Sequence, residues 1–208
     1  MATSDPWPII HAERRALLAD LEPLTGEQWA TPSMCAGWSV RDVLGHMIAT
    51  AKMTPSRFFA GLVGAGFRFT TMANKDIARE TSGTPADTLA RFRDQLSATS
   101  HPPGPVTAMV GEAVVHGEDI RRPLGISRSY PVDVLRTVAD FYKGSNLLLG
   151  SKKRIAGLTL RATDADWSTG SGPEVSGPLL SLVLVIAGRR AALDDLAGPG
   201  LATLRSRS

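Results

Sequence analysis

The sequence predicts a mainly α protein: an antiparallel helical bundle over residues 1–150, then a small α+β unit over 151–208. Three observations carry this. Apolar residues recur at helical spacing between short Pro- and Gly-bearing connections up to Gly150. Beyond Gly150 the pattern changes to the alternation of a half-buried strand. The composition, 43% hydrophobic and 21% charged over 208 residues, is that of a globular chain long enough to bury a core.

The elements follow in order. Ser4 or Asp5 can cap a first helix opening near Pro6, whose apolar stripe is Ile9, Ile10, Leu17, Leu18 and Leu21. Pro23 with Thr25-Gly26 closes it, and a turn-rich loop leads to Ser39. Ser39 with Asp42 three positions on resembles a capping box, with Asp in place of the usual Glu, and Trp38 can staple back against Val43. That second helix is expected to run to about residue 60, with a further helical stretch near 72–80. Thr84-Pro85-Ala86-Asp87 is a cap followed by Pro at the first helical position, and HPPGP at 101–105 ends the helix it opens. The segment VTAMVGEAVVHGEDIRR stops at Pro123-Leu124-Gly125, and Pro131-Val132-Asp133 opens a helix expected to reach Gly150.

In the tail, LTLRAT at 158–163 alternates as a strand, and Asp164-Ala165-Asp166 can turn the chain into a second strand around Trp167-Ser168-Thr169. GSGPE reads as a loop, Gly177-Pro178 starts a short apolar helix, and Leu201–Leu204 is expected to return as a final strand. The most apolar run, LLSLVLVIAG, is about half of the ~20 residues that cross a bilayer, so no membrane span is expected. The N-terminus lacks a basic region before a long apolar run, and the single cysteine, Cys35, allows no intrachain disulfide; both fit a cytoplasmic protein. The net charge of +3 behind a pI near 9.3 comes from a small excess of scattered bases. No basic stripe exists for a nucleic acid to follow.

Four histidines are present, of which His11 and His101 read as ordinary surface or partly buried residues. Glu112 and His116 stand four apart on a helix, about 40° apart around its axis, so a carboxylate and an imidazole can meet one ion. His46, amid Leu44, Met47 and Ile48, can face them from the second helix, where a polar group needs a partner or a ligand. By spacing alone, however, a satisfied core histidine or a simple i,i+4 pair is the more ordinary reading.

The segments GWSVRDVLGHM at 37–47 and GEAVVHGEDIRRPLG at 111–125 resemble the DinB-like superfamily of metal-binding four-helix bundles. Within it they resemble the branch typified by mycothiol-dependent maleylpyruvate isomerase, and the run DADWSTGSGPEVSGPLLSLVLVIAGR resembles that branch's short C-terminal domain. The resemblance implies one divalent metal held by His46, Glu112 and His116, with zinc the first expectation and nickel, manganese or iron also accommodated. Asp42, one turn before His46, and Asp119, three residues beyond His116, are then acceptors for the second ring nitrogens, although Asp42 can equally serve only its helix cap. Arg122 and Arg189 are weaker candidates for contact with an anionic substrate. Cys35 has no His or Lys beside it in sequence that would activate it.

The implied activity is a metal-dependent, mycothiol-dependent isomerase or thiol S-transferase in which the thiol adds to a small electrophile. The rival class is a non-catalytic divalent-metal-binding stress or sensor protein, and a ligand carrier is a third. The expected partners are the thiol and the electrophile, with no nucleic acid or membrane and with room for a homodimer.

Overall fold

The computed structural model describes residues 5–146 and 150–207, and the chain divides into two compact units, Met1–Arg128 and Ser129–Ser208. The first unit holds α1 (Trp7–Leu21), α2 (Val40–Ala51), α3 (Pro55–Gly64), α4 (Phe69–Glu80), α5 (Pro85–Arg93) and α6 (Thr107–Arg121). Its core gathers Leu17, Leu18 and Leu21 of α1, Val40, Val43, Leu44, Met47 and Ile48 of α2, Phe92 of α5 and Ile120 of α6. Each large aliphatic side chain so buried contributes roughly 2 kcal/mol. This is the expected helical bundle, with α2 at its centre packing on α4, α5 and α6.

Local chemistry sets the helix starts. Asp5 accepts from the Trp7 amide at 3.2 Å; Ser4, the other expected cap, lies outside the described residues. Both capping boxes form, Ser39 with Asp42 on α2 and Thr84 with Asp87 on α5. The second helix stops at Ala51 instead of reaching residue 60. The reason is Thr54-Pro55: Pro55 has no amide to extend the ladder, and Thr54 caps a new helix by accepting from the Arg57 amide at 3.3 Å. Arg41 then locks α2 to the α4–α5 turn, donating to the carbonyls of Thr81, Gly83 and Thr84 and to Thr88 Oγ1.

The second unit holds α7 (Val132–Lys143), α8 (Ser151–Arg154), β1 (Thr159–Ala162), β2 (Ser168–Gly170), β3 (Glu174–Gly177), α9 (Leu179–Ile186) and α10 (Leu201–Ser206). The helix expected to reach Gly150 ends at Lys143, and residues 147–149 lie outside the described part. Because α7 packs on α9, the division falls after Arg128 and not at the expected residue 150. The sheet order is β2-β1-β3, antiparallel at Leu160↔Thr169 and parallel at Leu160↔Val175.

Two expectations for the tail are corrected. The stretch between the GSGPE loop and Pro178 holds a strand the sequence reading lacks: β3 begins at Glu174, the last residue of that loop, and buries Val175 fully. The predicted final strand is the helix α10. Leu201 and Leu204 are three apart, which is a helical rather than an alternating spacing, and only Leu204 of this segment is buried. The apolar α9 is buried along its length from Leu182 to Ile186, and its first amide is capped by Asp164 at 2.8 Å. No described helix is long and apolar enough to cross a membrane.

The α2–α4 contact depends on Gly45, next to His46: a Cβ there would stand 2.6 Å from Thr81 Cγ2. Gly45→Ala is therefore expected to lower stability by about 1–3 kcal/mol through overpacking. Adding Thr81→Ser, which removes that methyl and keeps the hydroxyl, should restore most of it in urea unfolding.

Candidate metal centre

The centre lies where α2 meets α6. The His46 and His116 rings approach to 4.9 Å between centroids at an interplanar angle of 74°. One turn further along α2, Thr50 hydrogen-bonds Glu112, which sits one turn before His116 on α6. The two helices are thus antiparallel here. The same four residues, His46, Thr50, Glu112 and His116, are only partly buried, while nearly all their neighbours in both helices are buried. The result is a polar seam open along one side of an apolar helix pair.

Asp119 orders this seam. Fully buried, it accepts from His116 Nδ1 at 2.8 Å and from Cys35 Sγ at 3.1 Å, both on Oδ2. A carboxylate accepting at Nδ1 places the ring proton there and leaves Nε2 with its lone pair for a ligand. Cys35 comes from the loop before α2, where Trp38 N donates to the Cys35 carbonyl and Gly37 supplies the φ of +80° that this turn needs. The loop is tied to α6 by the Met34 amide, which donates to the Asp119 carbonyl at 3.1 Å. Trp38 packs on the His46 ring at 5.1 Å.

Glu112 carries the main electrostatic tension. Its desolvation pushes its pKa up to about 8, against the pull of the Arg14 guanidinium and the Thr50 hydroxyl. Arg14, buried on α1, spends its own Nη1 on the carbonyls of Gln95 and Ala98. A carboxylate that burial holds protonated at neutral pH is a poor structural ion-pair partner. It is a suitable donor for a cation that enters the seam.

Of the residues expected at the site, His46 and His116 come together, Glu112 adjoins them on α6, and Asp119 binds His116. Asp42 spends its Oδ2 on the Ser39 amide and hydroxyl, the capping role that its position also allowed. Arg122 pairs with Glu118 along α6 at 3.2 Å, and Arg189 lies in the second unit, donating to the Ala187 carbonyl. His11 and His101 bond the backbone carbonyls of Ala98 and Pro102.

Sequence reasoning omits Thr50 and Arg14, and it sets Cys35 aside. Thr50 was open to discovery, being one turn beyond His46 on the same face. Cys35 and Arg14 reach the seam only through tertiary packing. Among the described residues, Cys35, His116 and Asp119 also form a group whose ligand atoms lie within 4.8 Å of one another. Here, however, Asp119 Oδ2 already receives both of its neighbours, and the His116 nitrogen involved carries the proton.

Residues 10–101 match the family model of the mycothiol maleylpyruvate isomerase N-terminal domain. A solved mycothiol-dependent maleylpyruvate isomerase shares the fold with a TM-score of 0.66 at 17% identity, over 93% of this chain and 91% of that one. A histidine-to-alanine variant of the isomerase gives a TM-score of 0.64 at 16% identity over the same shares. No curated protein matches the sequence. The fold is that of the solved isomerase, with helices first and a small C-terminal α+β unit after them, and the family model matched over residues 10–101 is of the family the sequence resembles.

The Glu112 shift fixes a pH dependence for the metal-free protein. The folded chain holds this proton to about pH 8, whereas the unfolded chain releases it near the ordinary glutamate value of 4.5. The folded state binds the extra proton across that window, so stability falls as pH rises through it. Urea unfolding of metal-free protein should therefore show a loss of a few kcal/mol between these limits. The loss should be much smaller in Glu112→Gln.

Proposed function

We propose that the protein is a divalent-metal-dependent, mycothiol-dependent isomerase or thiol S-transferase, with His46, Glu112 and His116 as the metal ligands. The observation that carries this reading is the pairing of His46 with an His116 whose Nδ1 is bound to Asp119, one turn from a desolvated carboxylate. The donor set suits the metal: two imidazoles and one carboxylate are typical N/O ligands of a catalytic zinc, and three protein ligands leave coordination positions open. Bound there, the metal would hold a thiol as thiolate at neutral pH.

The protein's own residues divide the remaining work. Asp119 fixes the ring orientation and tautomer of His116. Thr50 hydrogen-bonds the Glu112 carboxylate, and the charge of the Arg14 guanidinium favours its ionised form. Trp38 limits the swing of the His46 ring. The partly exposed seam gives a small thiol and a small electrophile access to the ligand atoms. The matched domain family and the fold of the solved isomerase support mycothiol as the thiol and isomerisation of a conjugated acid as the first reaction to test.

The Cys35, His116 and Asp119 group offers a second donor set and so a second reading, a thiolate-bearing metal site without the isomerase ligands. Metal analysis separates the two. On the first reading purified protein carries about one equivalent per chain, His46→Ala and His116→Ala lose it, and Cys35→Ser keeps it. Loss in Cys35→Ser with retention in His46→Ala would establish the second. Asp119→Ala should weaken the metal about 10–100-fold without abolishing it. Activity is read with mycothiol and a panel of cis-dienoic acids and electrophiles. Metal-loaded protein without turnover on that panel would support the non-catalytic metal-binding class instead.

A further inference from the structure

Four of the five large apolar side chains exposed among the described residues lie within one hairpin of the first unit. These are Phe59 and Val63 of α3, Phe67 of the connecting loop and Phe69 at the start of α4; the fifth, Val132, lies in the second unit. No residue of α3 is buried, although the helix has ten residues and an apolar side. The hairpin is nonetheless built firmly. Phe58 packs against Phe59 and Phe69 at 5.6 and 6.4 Å between ring centroids. Gly61 lets Met72 of α4 approach so closely that a Cβ there would stand 3.1 Å from the Met72 sulfur.

The loop holds its aromatic residue outward against local preference. Phe67 has a φ of +60° and is 75% exposed, and it is the one non-glycine residue with positive φ among those described. A bulky side chain in that conformation is strained, and glycine would take the position without strain. The chain thus keeps an aromatic side chain where both the backbone and the solvent disfavour it.

Charge identifies the occupant of this face. From Thr54 to Lys75 the sequence has no acidic residue and three cations, Arg57, Arg68 and Lys75. Arg57 lies on the side of α3 opposite Phe59 and Val63, and the exposed Arg68 stands between Phe67 and Phe69. Phenylalanines on one side with arginine and lysine around them are what an interfacial amphipathic helix presents to acyl chains and anionic headgroups. A second copy of the chain is a poorer match, because two-fold pairing would bring like charges together with no acid on the face to offset them.

We propose that the α3–α4 hairpin docks the protein on an anionic lipid surface, seating Phe59, Val63 and Phe67 among the acyl chains with Arg68 at the headgroups. Surface docking needs no spanning helix, so it is compatible with the absence of one among the described residues.

Co-sedimentation of the full chain with vesicles tests this. Binding is expected to equimolar phosphatidylglycerol–phosphatidylcholine vesicles, falling with added salt, and to be much weaker on phosphatidylcholine alone. Arg68→Ser should lower partitioning about fivefold, the equivalent of about 1 kcal/mol per cation. The double variant Phe59→Ser, Phe67→Ser should lower it at least about tenfold. Phe67→Gly keeps the fold honest: thermal melting should find it no less stable than the parent, yet its vesicle binding should be reduced. No binding to the mixed vesicles overturns the proposal. So does equal binding by the parent and the phenylalanine variants. A concentration-dependent dimer that these substitutions dissolve, without vesicle binding, would assign the face to self-association instead.

Discussion

Glu112 sits on the α6 face that meets α1 and α2, with Thr50 and the Arg14 guanidinium as its neighbours. A desolvated carboxylate is neutralised by a proton, a counter-charge or a bound cation. Arg14 provides only part of a counter-charge, because desolvation outweighs it and leaves Glu112 titrating near pH 8. His46, Thr50, Glu112 and His116 stay only partly buried along this line between α2 and α6, so the polar seam interrupts an otherwise apolar helix pair. The packing around it is correspondingly dense, with Val114 and Ile120 of α6 and Leu44 and Ile48 of α2 fully buried.

The second organising contact is Asp119. It lies one turn past His116, and its single oxygen gathers an imidazole from α6 and a thiol from the loop before α2. The Met34 amide binds the carbonyl of the same residue. One aspartate therefore fixes a ring, a loop and the start of the helix that bears His46. The orientation of His46 depends on this loop through Trp38 and on the close approach of α2 to α4 at Gly45. The site is thus supported from α1, α4 and the loop as well as from its own two helices.

The α3–α4 hairpin obeys a different rule. The core residues explain α1, α2, α5 and α6, but no residue of α3 is fully buried, and its Phe59 and Val63 are exposed. An amphipathic pattern in sequence signals that a face will be covered. It does not say by what.

The sequence by itself determined whatever is encoded over one or two helical turns: the capping box of α2, the Thr84 cap and proline start of α5, the Glu112–His116 spacing and the place of Asp119 beside His116. The two long motifs added His46 as their partner, and the ring contact across α2 and α6 is the tertiary expression of that pairing. Only the tertiary structure decided the rest. It brought Cys35 to Asp119 and Arg14 to Glu112 across long stretches of chain, joined α7 to the second unit, and paired the short segment after a Gly- and Pro-rich loop with β1 as the third strand. Contacts between distant segments carry no periodicity and no cap, so nothing local announces them. They exist because one packed core admits few arrangements of its helices.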